Sequence, residues 1–428
     1  MTSRNTKHPI DIERVRARFP SLVASESREP LVHFDGPAGS QTPSVVIEAV
    51  VDTLARVNAN RGGFFETSRA VGRIFDEAGA AVADLLGTVD PKTVIFGPNM
   101  TSLTLTLSRA LGREWSAADE IVVTRAEHDA NFTPWALAAR DAGAIVREVG
   151  IEPDGTVDLE ALASVITERT RLVAIGCASN LIGTVQPFEE AIRIAKRAEA
   201  LVFLDAVHYA PHRRMRVEAW GADFLACSAY KFFGPHVGIL WGRRELLERI
   251  TPYKVRPASE AIPDRWMNGT QSHEGIAGTL AAIEYIADLG RESTVDGEAG
   301  GSTSRDTTSR RDALDLAFEA ISSYETLLAR RLLEGLAAIP GVRIHGVANA
   351  DEPERRVSTV AFTHARRSPA DVARELAARG ICVWSGNSYA LPLSEALGLE
   401  PHGAIRVGIL HYNTEEEVDR LLRAVESL

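Results

Sequence analysis

From about residue 43 to residue 290, short apolar segments alternate with segments whose apolar residues recur at helical spacing. The short segments are rich in Val, Ile and Leu, which is typical of strands that are buried on both faces. They lie at 93–97, 120–124, 144–149, 171–178, 201–206, 223–229 and 237–242. Strands that alternate with amphipathic helices predict an α/β fold, in which helices flank a mostly parallel sheet.

The rest of the chain has a different organisation. Residues 291–312 are polar and rich in Gly, Ser and Thr, which predicts an exposed loop or linker. A long helix follows at about 313–338, and then strands and helices mix as in a small α+β domain. We therefore predict a large domain over 41–290 and a small C-terminal domain over 313–428, with which an N-terminal segment (1–40) packs.

The charge and the cysteine content of the chain exclude several classes of function. With 47 basic and 58 acidic residues the net charge is −11, which argues against nucleic acid or an anionic membrane surface as a partner. The three cysteines form no CxxC pair, and Pro211 separates the only closely spaced histidine pair, His208 and His212, so no metal site is predicted. The sequence has neither a signal-peptide pattern nor a long uncharged apolar segment. We expect a cytoplasmic enzyme.

Polar residues follow several of the predicted strands, at the carboxyl ends where open parallel sheets bind ligands. Asp205, His208 and Lys231 are among them, and a helix begins near Thr101. Lysine can bond covalently to an aldehyde, and only five of the 47 basic residues are lysines. A carboxylate can keep a ring nitrogen protonated, and a helix N-terminus can bind a phosphate. The combination predicts pyridoxal 5′-phosphate (PLP) as the cofactor.

Seven segments in order along the chain resemble one enzyme family. They are HFDGPAGSQTP (33–43), EHDANFTPW (127–135), ASNLIGT (178–184), LDAVHYAPH (204–212), SAYKFFGPHVGILWG (228–242), NGTQSHEGIAG (268–278) and RVGILHYNTEEEVD (406–419). The chain is similar in these segments to the class V aminotransferases of fold-type I PLP enzymes, specifically to relatives of cysteine desulfurase and selenocysteine lyase. The resemblance implies the fold-type I architecture, an amino-acid substrate and a homodimer with shared active sites.

The resemblance also implies roles around the cofactor ring. Lys231 would be the catalytic lysine that forms the Schiff base and moves protons. Asp205 would pair with the pyridine nitrogen, and His128 would stack on the ring. Asn180 and His208 would lie near the ring hydroxyl.

Other matching residues would bind the phosphate and the substrate. Thr101, Ser228 and Tyr230 would bind the phosphate, and Thr270 would reach the phosphate of the neighbouring subunit. Arg406 would bind the substrate carboxylate, a task that suits the two-pronged guanidinium group.

Two positions depart from the family. Desulfurases carry a nucleophilic cysteine in a TGHHCAQPL-like segment, but the matching segment here is SGNSYALPL (385–393), which places Tyr389 at the cysteine position. His208 stands where desulfurases usually have glutamine. We therefore expect a desulfurase-like C–S (or related β/γ) lyase without protein persulfide transfer, in which Tyr389 binds or covers the substrate. The alternatives are a class V aminotransferase in a specialised pathway and a PLP-binding protein without turnover.

Overall fold

The computed structural model describes residues 9–23, 31–297 and 308–428. Up to residue 297 the elements are α1 (Ile12–Arg16), β1 (Val32–His33), α2 (Ser44–Arg56), α3 (Glu66–Leu86), β2 (Val94–Gly97), α4 (Met100–Gly112), β3 (Glu120–Thr124), α5 (Thr133–Ala142), β4 (Ile145–Val149), α6 (Leu159–Val165), β5 (Thr170–Gly176), α7 (Phe188–Arg197), β6 (Leu201–Asp205), α8 (Val217–Trp220), β7 (Phe224–Ser228), β8 (Gly238–Gly242), α9 (Arg244–Arg249) and α10 (His273–Gly297). After residue 307 they are α11 (Arg310–Ala338), β9 (Val342–His345), β10 (Thr359–His364), α12 (Pro369–Ala378), β11 (Ile381–Cys382), β12 (Trp384–Gly386), α13 (Leu391–Ala396), β13 (Ala404–Gly408) and α14 (Glu415–Glu426).

A seven-stranded sheet forms the centre of the molecule, in the order β2-β8-β7-β6-β5-β3-β4. The strands from β7 to β4 run parallel to one another, whereas β8 runs antiparallel to both of its neighbours. Every residue of β3 and β7 is buried, as the apolar patterns of these strands predict. The predicted α/β fold with a mostly parallel sheet flanked by helices is confirmed.

The C-terminal part has its own antiparallel sheet, in the order β12-β13-β10-β9. The N-terminal segment joins this part, because β1 pairs in parallel with β11 and places Val32 opposite Ile381. Asp35 then forms an isolated parallel bridge with Gly408 at the end of β13. These pairings join residues that are far apart in sequence. The predicted division into domains stays a prediction.

The polar segment predicted as a linker over 291–312 is helical at both ends, so the prediction was wrong there. Helix α10 continues to Gly297 and α11 begins at Arg310. Ion pairs stabilise the polar helix ends: Glu292 lies 2.6 Å from Arg18, and Arg310 lies 2.5 Å from Glu284. Such partners come from distant parts of the chain, so a local composition cannot reveal them. Residues 298–307 lie outside the described residues.

Membrane-spanning helices were not expected. Across 9–23, 31–297 and 308–428, no helix combines the length and the apolar character that crossing a membrane requires.

Candidate active site

A cavity lies at the carboxyl ends of the parallel strands. Asp205 is the last residue of β6 and Ser228 the last residue of β7, so the sheet itself places both side chains at one edge. Eight of the predicted site residues line this cavity: Thr101, His128, Asn180, Asp205, His208, Ser228, Tyr230 and Lys231.

Lys231 lies at the end of a single 3-10 turn that follows β7. Its ammonium group donates hydrogen bonds to the carbonyl oxygens of Pro37 and Ala38, the latter at 3.1 Å. The pKa of Lys231 is lowered from 10.5 to about 7, mainly by burial and also by the positive charge of Arg406, whereas the negative charge of Asp205 opposes the change. A substantial fraction of the amine is therefore neutral, and hence nucleophilic, near pH 7.

The backbone after Lys231 is held in an unusual conformation. Phe233 has a φ of 71°, in the left-handed region that non-glycine residues rarely adopt, at a cost of about 1–3 kcal/mol. The side chain of Phe233 is fully buried, and its N–H donates to Ser40 Oγ at 2.7 Å. The Ser40 hydroxyl in turn donates to the Tyr230 carbonyl at 3.0 Å. These contacts fix the turn, and with it the direction of the Lys231 side chain.

Asp205 is only 8% exposed, and its Oδ1 accepts a hydrogen bond from the Val207 N–H at 2.8 Å. Burial raises the pKa of Asp205 to about 6, although this hydrogen bond and the charge of Lys231 oppose the rise. The group is thus mainly a carboxylate at pH 7 and above, and it can stabilise a cationic ring nitrogen.

His128 presents a neutral ring to the same cavity. Its Nδ1 accepts a hydrogen bond from the Ala130 N–H at 3.0 Å, which places the ring proton on Nε2. Burial lowers the pKa of His128 to about 4, and the positive charges of Lys231 and Arg406 act in the same direction. The Tyr389 ring stacks against this histidine, with ring centroids 5.7 Å apart and planes at 20°.

His208 connects the cavity with the C-terminal part. Its Nε2 lies 3.0 Å from Thr359 Oγ1, and burial holds the pKa of His208 well below its usual value. His212 lies 2.6 Å from the buried carboxylate of Glu325, which also accepts a hydrogen bond from Ser358. Within the described ranges, no cluster of three or more His, Cys, Asp or Glu side chains is arranged to hold a metal ion.

The N-terminus of α4 borders the cavity. Asn99 caps this helix, since its Oδ1 accepts the Ser102 N–H at 2.8 Å, and Ser228 Oγ accepts the Met100 N–H at 3.0 Å. A Cβ atom on Gly238 would lie 2.4 Å from the Asn99 carbonyl carbon, so glycine allows β8 to approach the cap closely. The positive end of a 13-residue helix therefore faces the cavity and favours an anion there.

Arg406 and Tyr389 line a wider cleft that continues outward from the cavity and has a volume of about 880 Å³. Arg406 is 5% exposed, and its Nη1 donates to the Asn180 carbonyl at 3.0 Å. Its Nε is buried without a hydrogen-bond partner among the described residues. Because an unpaired buried donor is costly, a carboxylate bound here would satisfy the guanidinium group.

The loop that carries Tyr389 is strained and anchored. Ser388 and Tyr389 have φ values of 54° and 60°. The Tyr389 N–H donates to Asn387 Oδ1 at 3.1 Å, and the Tyr389 carbonyl accepts the Asp129 N–H at 2.7 Å. Asn180 Nδ2 donates to the Ser388 carbonyl at 2.8 Å. Two residues of the large predicted domain thus hold this loop over the cleft.

One predicted site residue lies apart from the others. Thr270 is exposed and lines a separate shallow pocket together with Asn60, Arg61 and Phe75. Within a single chain it does not reach the cavity that contains Lys231.

Glu127 lines the cavity as well, and sequence reasoning did not single it out. Its carboxyl group accepts hydrogen bonds from Thr124 Oγ1 at 2.6 Å, Asn131 Nδ2 at 2.6 Å and the Gly176 N–H at 3.0 Å. Burial raises the pKa of Glu127 to about 8, although these hydrogen bonds act to lower it. The network fixes the turn that positions the adjacent His128. The only signal in the sequence is an acidic residue next to that histidine.

The residues of this site fit PLP. Lys231 offers a partly neutral amine to the aldehyde, Asp205 offers a carboxylate to the ring nitrogen, and the N-terminus of α4 offers a positive end to the phosphate. Arg406 lines the adjoining cleft, where its guanidinium group would bind an amino-acid carboxylate.

Comparison with known proteins gives the same result over the whole chain. The family model for aminotransferase class-V matches residues 32–300 and 298–421. A cysteine desulfurase from Dickeya dadantii is 30% identical over 436 residues, covering 98% of this chain and 97% of the relative. The apo structure of a cysteine desulfurase from Thermococcus onnurineus has a TM-score of 0.85 at 27% identity and covers 98% of both chains. The cysteine desulfurase CsdA from Escherichia coli has a TM-score of 0.81 at 27% identity, covering 97% of this chain and 98% of its own. The chain therefore belongs to the class V aminotransferase family and is a PLP-dependent enzyme of the cysteine desulfurase-like group.

Proposed function

We propose that this enzyme is a lyase that cleaves a C–S bond, or a related bond at Cβ or Cγ, in an amino-acid substrate without forming a protein persulfide. The observation that carries the proposal is the composition of the cleft. In the segment that resembles the desulfurase loop, Tyr389 matches the position of the nucleophilic cysteine, and a phenol cannot form a persulfide.

The three cysteines of the chain all lie among the described residues, and none of them lines the cavity or the cleft. Cys177 and Cys227 are fully buried in the central sheet region, and burial raises the pKa of both thiols. Cys382 is partly buried in β11, where burial and the negative charge of Asp35 raise its pKa. A raised pKa leaves little thiolate, which is the nucleophilic form.

The side chains of the site divide the work of elimination among them. Bound PLP would accept electron density from Cα of the amino acid. Lys231 would hold the aldehyde and then take the proton from Cα, a role that needs the neutral amine. Asp205 would keep the ring nitrogen protonated, and Arg406 would orient the substrate through its carboxylate. His128 would pack on the ring and keep water away from it.

A direct test combines product analysis with mass spectrometry. Holoenzyme incubated with cysteine and with S-substituted cysteines should release pyruvate and a free thiol or sulfide, while Cys177, Cys227 and Cys382 stay unmodified. A stoichiometric persulfide on Cys382, lost together with activity in Cys382→Ser, would contradict the proposal. Conversion of the cofactor to its pyridoxamine form, with release of a keto acid that retains sulfur, would instead identify an aminotransferase.

We further propose that the active form is a homodimer with shared active sites. Thr270 lines a pocket apart from the cavity of its own chain, and this pocket includes residues 60 and 61, which lie in the chain between the two parts of an exposed apolar surface. This surface comprises Ile47, Val51 and Leu54 on α2, each 44–57% exposed, and Phe64 at 91%. Apolar side chains at i, i+4 and i+7 on one helix face are typical of a packed interface.

The dimer can be tested by mixing inactive subunits. Lys231→Ala and Thr270→Ala subunits are each expected to have little activity, but heterodimers would contain one site with both residues intact and should recover part of it. A monomer by light scattering that retains full PLP and full activity would contradict the proposal.

We also propose that the enzyme works in the cytoplasm. Its three cysteines are free thiols, as is usual in a reducing compartment. A fluorescent fusion found outside the cytoplasm would contradict this location.

A further inference from the structure

The outer half of the cleft has two apolar walls that the chemistry at Lys231 does not use. Their residues come from α4 and α5 on one side and from the C-terminal part on the other: Leu105, Pro134 and Leu137, and Trp384, Tyr389 and Pro401. Trp384 is 53% exposed and Tyr389 is 75% exposed. Several large apolar side chains that share one cleft and stay open to solvent indicate a surface that a ligand covers.

The register of the C-terminal sheet places this apolar surface beside the carboxylate site. Trp384 on β12 lies directly opposite Arg406 on β13 in an antiparallel pair. Residues in such a pair project from the same face of the sheet, with Cβ atoms about 4.5–5.5 Å apart. An amino acid whose carboxylate is bound by Arg406 would therefore extend its side chain along Trp384.

The charges of the cleft favour an uncharged side chain. Among the described lining residues, the ionisable acidic and basic side chains are Lys231, Arg406, His128 and Asp129, and the His128 ring is neutral near pH 7 because its pKa is lowered to about 4. Lys231, His128 and Arg406 belong to the cofactor and carboxylate sites. The Asp129 carboxylate already accepts a hydrogen bond from Thr133 at 2.9 Å. Apart from Asp129, the described residues of the outer walls thus offer apolar contact without a charge partner for a terminal ionic group.

We propose that the preferred substrate is an L-cysteine whose sulfur carries a bulky apolar group, such as an aryl or aralkyl group. This inference rests on the proposed C–S lyase function and specifies its substrate class. Lys231 takes the proton from Cα, and the C–S bond breaks with its electron pair remaining on sulfur, which then gains a proton. With one water, the products are the thiol, pyruvate and ammonium, and no oxidant or reductant is needed.

The test compares two substrates that differ only in the sulfur substituent, S-benzyl-L-cysteine and S-methyl-L-cysteine, on the holoenzyme. Because each buried methylene is worth about 10- to 200-fold in discrimination, the kcat/KM for pyruvate release should be at least about tenfold higher for the benzyl compound. Trp384→Ala and Leu137→Ala should each reduce this ratio. Leu327→Ala is the matched control, since it removes another exposed leucine (47%, against 36% for Leu137) on α11, outside the cleft, and should leave the ratio unchanged.

The outcomes separate this inference from the proposed function. Equal kcat/KM values for the two substrates, or a ratio that neither cleft variant changes, would overturn the substrate class while leaving the lyase function intact. Release of pyruvate from neither substrate would overturn the lyase function. In that event, the binding of both compounds is measured through the change in cofactor absorbance. Tighter binding of the benzyl compound, with the difference lost in Trp384→Ala, supports the proposed substrate class. Equal binding of the two compounds overturns the proposed substrate class.

Discussion

The lowered pKa of Lys231 can be tested directly in the apo-enzyme, because the chain has only five lysines. With ¹³C placed at Cε of lysine, NMR gives one signal for each lysine, and the Lys231→Met variant identifies the signal of this residue. We expect its titration midpoint near pH 7. In Arg406→Leu the midpoint should rise, because the positive charge of Arg406 is one of the two causes that lower the pKa.

The same pKa predicts how the stability of the apo-enzyme depends on pH. Lys231 has a pKa of 10.5 in an exposed state and about 7 in the folded state, so the unfolded chain binds more protons between these values. The free energy of unfolding therefore rises with pH across this window, by about 4 kcal/mol from this group alone. As the pH rises from 7 to 10.5, the buried amine loses its proton, so the free-energy cost of burying a charged ammonium group falls.

Urea unfolding of the apo-enzyme at several pH values measures this effect. Apo Lys231→Met should be more stable than the wild type at pH 7, and the difference should shrink towards pH 10.5. Lys92→Met, which removes an exposed lysine, is the control and should shift the curves by less than about 0.5 kcal/mol. An NMR midpoint for Lys231 above about pH 9, or a stability difference that does not change with pH, would refute the reasoning.

Three further predictions concern the cofactor bond, a crowded turn and a buried pair. Borohydride reduction of the holoenzyme followed by peptide mapping should find the phosphopyridoxyl group on Lys231, and its presence on Lys254 would contradict the site. Gly183→Ala should lower the free energy of unfolding in urea by more than about 3 kcal/mol, because φ is +76° and the new Cβ would lie 2.1 Å from the Thr359 carbonyl oxygen. Its control is Gly398→Ala, where φ is +69° but the space is open, and which should cost only about 1 kcal/mol. Glu325→Gln should cost about 1–3 kcal/mol by the same assay because it disturbs buried hydrogen bonds with His212 and Ser358, whereas Asp371→Asn in an exposed pair should cost less than about 1 kcal/mol; equal costs would contradict the difference in burial.

The local pattern of apolar residues was sufficient to predict much of the central sheet. The apolar segment at 201–206 predicts a strand, and β6 spans Leu201–Asp205; the segment at 223–229 predicts the next, and β7 spans Phe224–Ser228. Buried strands of this kind are nearly continuous runs of Val, Ile and Leu, so their identity depends on residues within the strand. The ends of α10 and α11 were not predicted, because their polar residues are stabilised by ion pairs with distant partners.

The sequence by itself determined the α/β fold, the PLP chemistry and the identity of Lys231, Asp205 and His128 as candidates, since each depends on a local pattern or motif. The tertiary structure alone decided the properties of these groups. The pKa of Lys231 falls because packing removes water from the amine and brings in Arg406, which is far away along the chain. Glu127 becomes a buried acid, and the Tyr389 loop is anchored over the cleft by Asp129 and Asn180, only after distant segments meet. Desolvation and charge proximity are properties of the folded surroundings, so no stretch of sequence encodes them alone.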